Sequence, residues 1–132
     1  MITAKLKIIF AFSVPVFIMH GIEEYITGFY ELDALDEWIF GLLPFTSTHE
    51  ATFATFQVMF WLLLIISSLL LVSDRVRFQV LLLIGFVYVI ELHHPIKAIL
   101  AGGYYPGLIT SLVFPVFALL FFREWWRIWS LR

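Results

Sequence analysis

Residues 8–25 read IIFAFSVPVFIMHGIEEY. An apolar run interrupted only by Ser13 and Pro15 ends in His20-Gly21-Ile22-Glu23-Glu24. On a helix His20, Glu23 and Glu24 stand at i, i+3 and i+4, so their side chains share one face. An ionisable side chain at the centre of a spanning helix costs about 2.5–3.5 kcal/mol on insertion scales, and less near an interface. Two adjacent carboxylates and a histidine in such a place need a partner: a metal, a proton or a counter-charge.

The rest of the chain sets the frame for that cluster. Of 132 residues, 62% are hydrophobic and 14% charged, against about a quarter charged in a soluble domain. The mean hydropathy is +0.99. Apolar runs recur near the length of about 20 residues that a helix needs to cross a bilayer. The composition therefore predicts a single all-α domain over residues 1–132, an integral membrane four-helix bundle with spans at about 8–25, 51–72, 78–100 and 107–122. Lys5 and Lys7 ahead of the first run suggest a signal peptide. No small-x-small cleavage site follows, however, and the run ends in polar residues, so it reads as a span. Cysteine is absent, which excludes disulfides, thiolate metal sites, iron–sulfur clusters and cysteine nucleophiles. Pro15, Pro95 and Pro115 lie in or near spans and predict kinks.

Charge is sorted by side. Seven of the eight basic residues (Lys5, Lys7, Arg75, Arg77, Arg123, Arg127 and Arg132) fall at one face, and Lys97 at the other. The positive-inside rule places both termini in the cytoplasm. Trp125, Trp126 and Trp129 then belong to an interfacial aromatic belt. Asp74 and Glu124 accompany the basic face. Glu23, Glu24, Glu31, Asp33, Asp36, Glu37, Glu50 and Glu91 lie toward the outer one, as do His20, His49, His93 and His94. The expected location is a bacterial or archaeal plasma membrane, with the polar site on the outer side and the lipid bilayer as the first partner. Nucleic acid is not expected as one.

Four segments meet at that outer end. Span one ends in His20, Glu23 and Glu24; span two begins with His49 and Glu50; span three carries Glu91 and His94; span four follows Tyr104-Tyr105-Pro106-Gly107, with Thr110 on its first turn. Glu91 and His94 form a Glu-x-x-His pair, the kind that builds di-iron and di-manganese sites in soluble four-helix proteins. Imidazole and carboxylate without sulfur suit zinc, iron or manganese. The candidate metal ligands are His20, Glu23, Glu24, His49, Glu50, Glu91 and His94, for one divalent ion or two.

Plainer readings stand beside these. The first cluster also reads as a hydrogen-bonded proton site without metal, although a dense acid cluster needs positive charge and so favours the metal. Ser47-Thr48-His49-Glu50 fits a helix capping box as well as ligation. His93 lies on a different face from His94, which has the better spacing from Glu91, and Pro95 disfavours regular helix at His94. Lys97 reads as a snorkelling interfacial residue or an anion-binding group. Thr110 and Ser111 can bond back to their own helix. Gln57 and Ser13 extend a polar track inward that is too sparse for a water-filled pore. In residues 31–40, Leu32, Leu35 and Ile39 share one face and Asp33, Asp36 and Glu37 mostly another. This predicts a short amphipathic interfacial helix in the first outer loop, an anchor or a lid.

His20-Gly21-Ile22-Glu23-Glu24 resembles the motif that names the HXXEE-domain family of small membrane proteins. The similarity extends to His94 near the end of span three and to Tyr104-Tyr105-Pro106-Gly107-Leu108-Ile109-Thr110. It implies a shared site made of His20, Glu23, Glu24, His94 and Thr110, and it implies no reaction. The sequence as a whole points to a membrane metalloprotein acting as a metal-dependent enzyme on a lipid-like substrate near the outer leaflet, either a zinc hydrolase or a di-iron-type oxidase. Glu24 and Thr110 are the candidates for catalysis; in a hydrolase one of Glu23 and Glu24 ligates the metal and its neighbour is the general base. The alternatives are a cation or proton transporter, and an accessory subunit, with a homo-oligomer or a membrane partner, whose carboxylates pair across an interface.

Overall fold

In the computed structural model the described residues are 2–32, 34, 49–72 and 78–131, without the side chains of 70 and 78–80. Every regular element among them is helical: α1 (Ala4–Ile26), α2 (Phe29–Leu32), α3 (His49–Val72), α4 (Phe78–Ile90), α5 (His93–Ala101), α6 (Leu108–Ser111) and α7 (Phe114–Trp129). Four stretches are long and apolar enough to cross a membrane: Ala4–Ile26, His49–Leu69, Leu81–Ala101 and Leu108–Trp129. They overlap residues 8–25, 51–72, 78–100 and 107–122, with different bounds. Most of residues 31–40, and Ser47 of the expected capping box, lie outside the described residues, as do Arg75 and Arg77.

The local chemistry explains where the helices start and break. Thr3 caps α1, its hydroxyl accepting from the Leu6 amide at 3.2 Å. Pro15 sits within α1, which nevertheless continues to Ile26. Spans three and four are each broken once. Pro95 has no amide to give the Glu91 carbonyl, and the chain turns at Glu91–Leu92 between α4 and α5. Pro115 withholds its donor from Ser111 in the same way, and the break between α6 and α7 falls at 112–113. The Ser111 hydroxyl donates to the Leu108 carbonyl at 2.8 Å.

α1 packs against both α3 and α7, and α4 packs against α7. The core between them holds Leu6, Phe10, Phe17, Leu64, Tyr88, Phe114 and Phe121. Large apolar side chains also cover the outside: Phe12, Met19, Leu69 and Ile99 are all exposed. An apolar exterior around buried polar groups is the pattern a bilayer allows and water does not. The start of α1 and the C-terminal part of α7 stand at one end. There Thr3 donates to Glu124 at 2.7 Å, and Arg127 donates to the same carboxylate oxygen at 2.6 Å.

Candidate metal centre

His20, Glu24, Glu91 and His94 gather at the opposite end. One helical turn of α1 presents His20 and Glu24 inward. The break after α4 sets Glu91 and His94 against them. His20 and His94 are 2% and 0% exposed, and Glu24 is 6% exposed. The His20 Nε2 atom lies 2.8 Å from Glu91 Oε2 and 3.5 Å from Glu24 Oε1. The His94 Nε2 atom lies 3.0 Å from Glu24 Oε1 and 3.4 Å from Glu91 Oε2. The two Nε2 atoms are 3.1 Å apart. One ligand-type atom from each of the four residues thus falls within 4.8 Å of all the others. Neither carboxylate pairs with a lysine or arginine among the described residues.

Of these distances, 3.4 and 3.5 Å already suit a small cation, and 2.8, 3.0 and 3.1 Å would have to open slightly to take one. Four ligands about 2.0–2.2 Å from a tetrahedral zinc ion stand about 3.3–3.6 Å from one another. Protons fit the 2.8 and 3.0 Å imidazole–carboxylate contacts but not the contact between the two rings. Two protonated imidazoles would aim Nε2–H groups at each other across 3.1 Å, a like-charge contact in a buried place.

The surroundings of the four are polar on one side and apolar on the other. Gln57 donates to Glu24 Oε2 at 2.8 Å. The Nδ1 atom of His94 meets the Pro106 carbonyl at 2.6 Å, and that of His20 meets the Thr110 hydroxyl at 2.8 Å. Toward the termini the site is closed by Phe17, Tyr88 and Phe114. The Phe17 ring lies 4.5 Å from Phe114 and 5.5 Å from Tyr88, and His20 meets Phe114 edge-on at 5.3 Å. Tyr88 and Ser13 bond at 2.7 Å on the far side of those rings.

Thr110 touches His20, whereas Glu23, His49 and Glu50 are not part of the group of four. Glu23 points to span four, where Tyr104 and the Ile109 amide donate to Oε1 at 2.9 and 3.0 Å. The Thr110 amide and hydroxyl donate to Oε2 at 2.9 and 2.5 Å. Burial, then acceptance by Glu23, pushes the Tyr104 phenol above its usual range. Glu50 accepts from Tyr25 at 3.0 Å on the exposed side, and the His49 ring lies 6.5 Å from that of Tyr30. The Nδ1 atom of His93 faces the Ile90 carbonyl at 3.0 Å, and its ring lies 3.9 Å from that of His94. Lys97 donates to Tyr105 at 3.4 Å. The Pro106 carbonyl and the role of Tyr104 carry no signal in sequence spacing. Gln57 carries one, its place on the same helix face as Glu50.

Fold and site together define a class: helices of membrane-spanning length enclosing a buried cluster of two histidines and two glutamates that could hold a metal ion. Within it, the chain belongs to the family described as protein of unknown function with HXXEE motif, whose family model matches residues 11–122. No curated protein and no solved structure matches the chain.

Proposed function

We propose that this protein is a membrane metalloenzyme that holds one divalent ion, zinc or iron, between His20, Glu24, Glu91 and His94 and acts on a lipid-like substrate. The observation that carries the reading is the convergence of four ligand-type atoms within 4.8 Å, with no ion pair from lysine or arginine to Glu24 or Glu91 among the described residues. A single ion is favoured over two. Glu23 has both oxygens occupied by donors, and Glu50 is engaged by Tyr25. The sorting of basic residues supports cytoplasmic termini, and so a site toward the outer leaflet.

A metal here supplies Lewis acidity and, with zinc, bound water acidic enough to ionise near pH 7. The chain supplies the rest. Glu24 is the candidate general base where His20, Glu91 and His94 alone ligate and leave a position for water, with Gln57 orienting its Oε2 atom. Thr110, which touches Glu23 and His20, positions a ligand instead of meeting the substrate. An apolar groove of about 310 Å³ runs between α1 and α3 past Ile22, Ile26, Val58 and Trp61, and Gln57 is part of its wall. That lateral approach suits a hydrocarbon chain. A transport pathway has less support, because Phe17, Tyr88 and Phe114 pack beneath His20 and are almost wholly buried.

Metal analysis of protein purified without chelators tests this. Wild type is expected to hold about one zinc or iron per chain, and His20→Ala and Glu91→Ala to hold little. Wild type without stoichiometric metal, also after incubation with zinc or ferrous iron, would sink the reading.

A further inference from the structure

Both imidazoles are held from behind by one short segment, residues 104–110. The Pro106 carbonyl can only accept, so at 2.6 Å it fixes the proton of His94 on Nδ1. Thr110 has one hydroxyl proton, and that proton is committed to Glu23 Oε2 at 2.5 Å. Its oxygen therefore accepts from His20 Nδ1 at 2.8 Å. Glu23 is committed in turn, with donors from Tyr104, Ile109 and Thr110 on both its oxygens. Gly107 brings the segment this close. Its φ is +79°, and a Cβ there would stand 2.7 Å from His94 Nδ1 and 2.8 Å from His20 Cε1.

We propose that residues 104–110 are a tautomer clamp for the metal centre: Pro106 and the Glu23–Thr110 pair hold both Nδ1 atoms as donors, so that both Nε2 lone pairs face the cation. The inference rests on the metal reading above and assigns a task to Glu23, which the metal does not need as a ligand. A histidine that binds a metal through one ring nitrogen commonly donates from the other, and loss of that partner typically costs about 10–100-fold in metal affinity. Here the two outer partners come from one segment, so a single backbone path sets both rings.

Three versions of the full-length protein in detergent test the clamp: wild type, Thr110→Val and Thr110→Ser. The readouts are zinc affinity by chelator competition, the visible spectrum of the cobalt-loaded protein, and the imidazole Nδ1–H proton of His20 by NMR in the metal-free protein. Thr110→Val is expected to bind zinc about 10–100-fold more weakly, to change the cobalt bands, and to lose the exchange-protected His20 Nδ1–H signal. Thr110→Ser, which keeps the hydroxyl, is expected to restore all three. Tyr104→Phe, which removes one donor to Glu23, is expected to fall between wild type and Thr110→Val. Equal zinc affinity in Thr110→Val and wild type would overturn the proposal, and so would a serine variant as weak as the valine one. The NMR signal judges the clamp without metal. If wild type shows the protected proton yet takes up no zinc or cobalt, the clamp stands and the metal reading fails. If the proton is unprotected in wild type, the clamp fails whatever the metal content.

Discussion

Gly107 carries two demands at once. Its left-handed φ of +79° disfavours any residue with a side chain, and the space beside it is taken by the His20 and His94 rings. Gly107→Ala is therefore expected to cost about 1–3 kcal/mol of stability and to weaken zinc binding, read together as a lower melting temperature and a larger zinc Kd. A variant that melts and binds like wild type would mean that the loop does not approach the rings. Gly21 is placed similarly: a Cβ there would meet Gln57 Oε1 at 2.5 Å and Trp61 Nε1 at 2.8 Å, so its lack of a side chain lets Gln57 stand beside Glu24. Tyr104 adds a pH expectation. Its raised phenol keeps its proton, so whatever its bond to Glu23 contributes is fully present below the unfolded phenol value of about 10 and is lost as pH rises through the folded one. Absorbance of the phenolate in wild type against Tyr104→Phe would register the late titration. At this scale the sequence was partly legible. His20, Glu24, Glu91 and His94 are ionisable residues in apolar runs, and their cost in a membrane marks them without a structure. That Glu23 faces span four while Glu24 faces span three is a matter of about 100° of helix rotation, which adjacency in sequence does not reveal.

At the scale of elements, proline breaks aim the side chains of the candidate site. The missing Pro95 amide lets the chain turn at Glu91–Leu92, so that α4 delivers Glu91 and α5 delivers His94 from slightly different axes. Pro115 does the same for span four, freeing α6 to carry Thr110 toward His20. Proline in a helix interior costs about 3 kcal/mol or more. Pro95→Ala is accordingly expected to leave the metal-free protein at least as stable as wild type while weakening zinc binding, as a continuous helix turns Glu91 away. Melting temperature and zinc Kd measured on the same preparation separate the two effects; a lower melting temperature with an unchanged zinc Kd would show that the break serves folding and not the site. The kinks were expected from the prolines. The breaks into separate helices, and the way they set opposed faces together, depend on what packs against each freed carbonyl.

For the whole molecule the arrangement is a bundle sealed at one end and polar at the other. Phe17, Tyr88 and Phe114 close the core beneath His20, and Thr3, Glu124 and Arg127 tie the two terminal segments together. A cation held by residues from two spans links them, so metal should stabilise the entire bundle. Binding at 100 times Kd contributes about 2.7 kcal/mol. Chelation is then expected to lower the melting temperature of wild type and to leave those of His20→Ala and Glu91→Ala unchanged. Identical shifts in all three would indicate that chelator acts elsewhere.

The sequence by itself determined the all-helical character, the four stretches of spanning length, the prolines at which two of them break, and the residue types of the site. Each of these follows from local hydropathy, backbone chemistry or the cost of charge in an apolar run, and none needs a neighbour in space. Tertiary structure alone decided which acids meet which histidines. It brought Glu24 and Glu91 together, gave Glu23 to Thr110 and Tyr104, left Glu50 with Tyr25, and placed a backbone carbonyl of Pro106 behind His94. Those pairings depend on helix rotation, on the depth at which each span breaks, and on a carbonyl that every residue possesses. The physical reason is that the cost of a buried charge is a property of one residue, whereas its relief is a property of whatever the fold sets a few ångströms away.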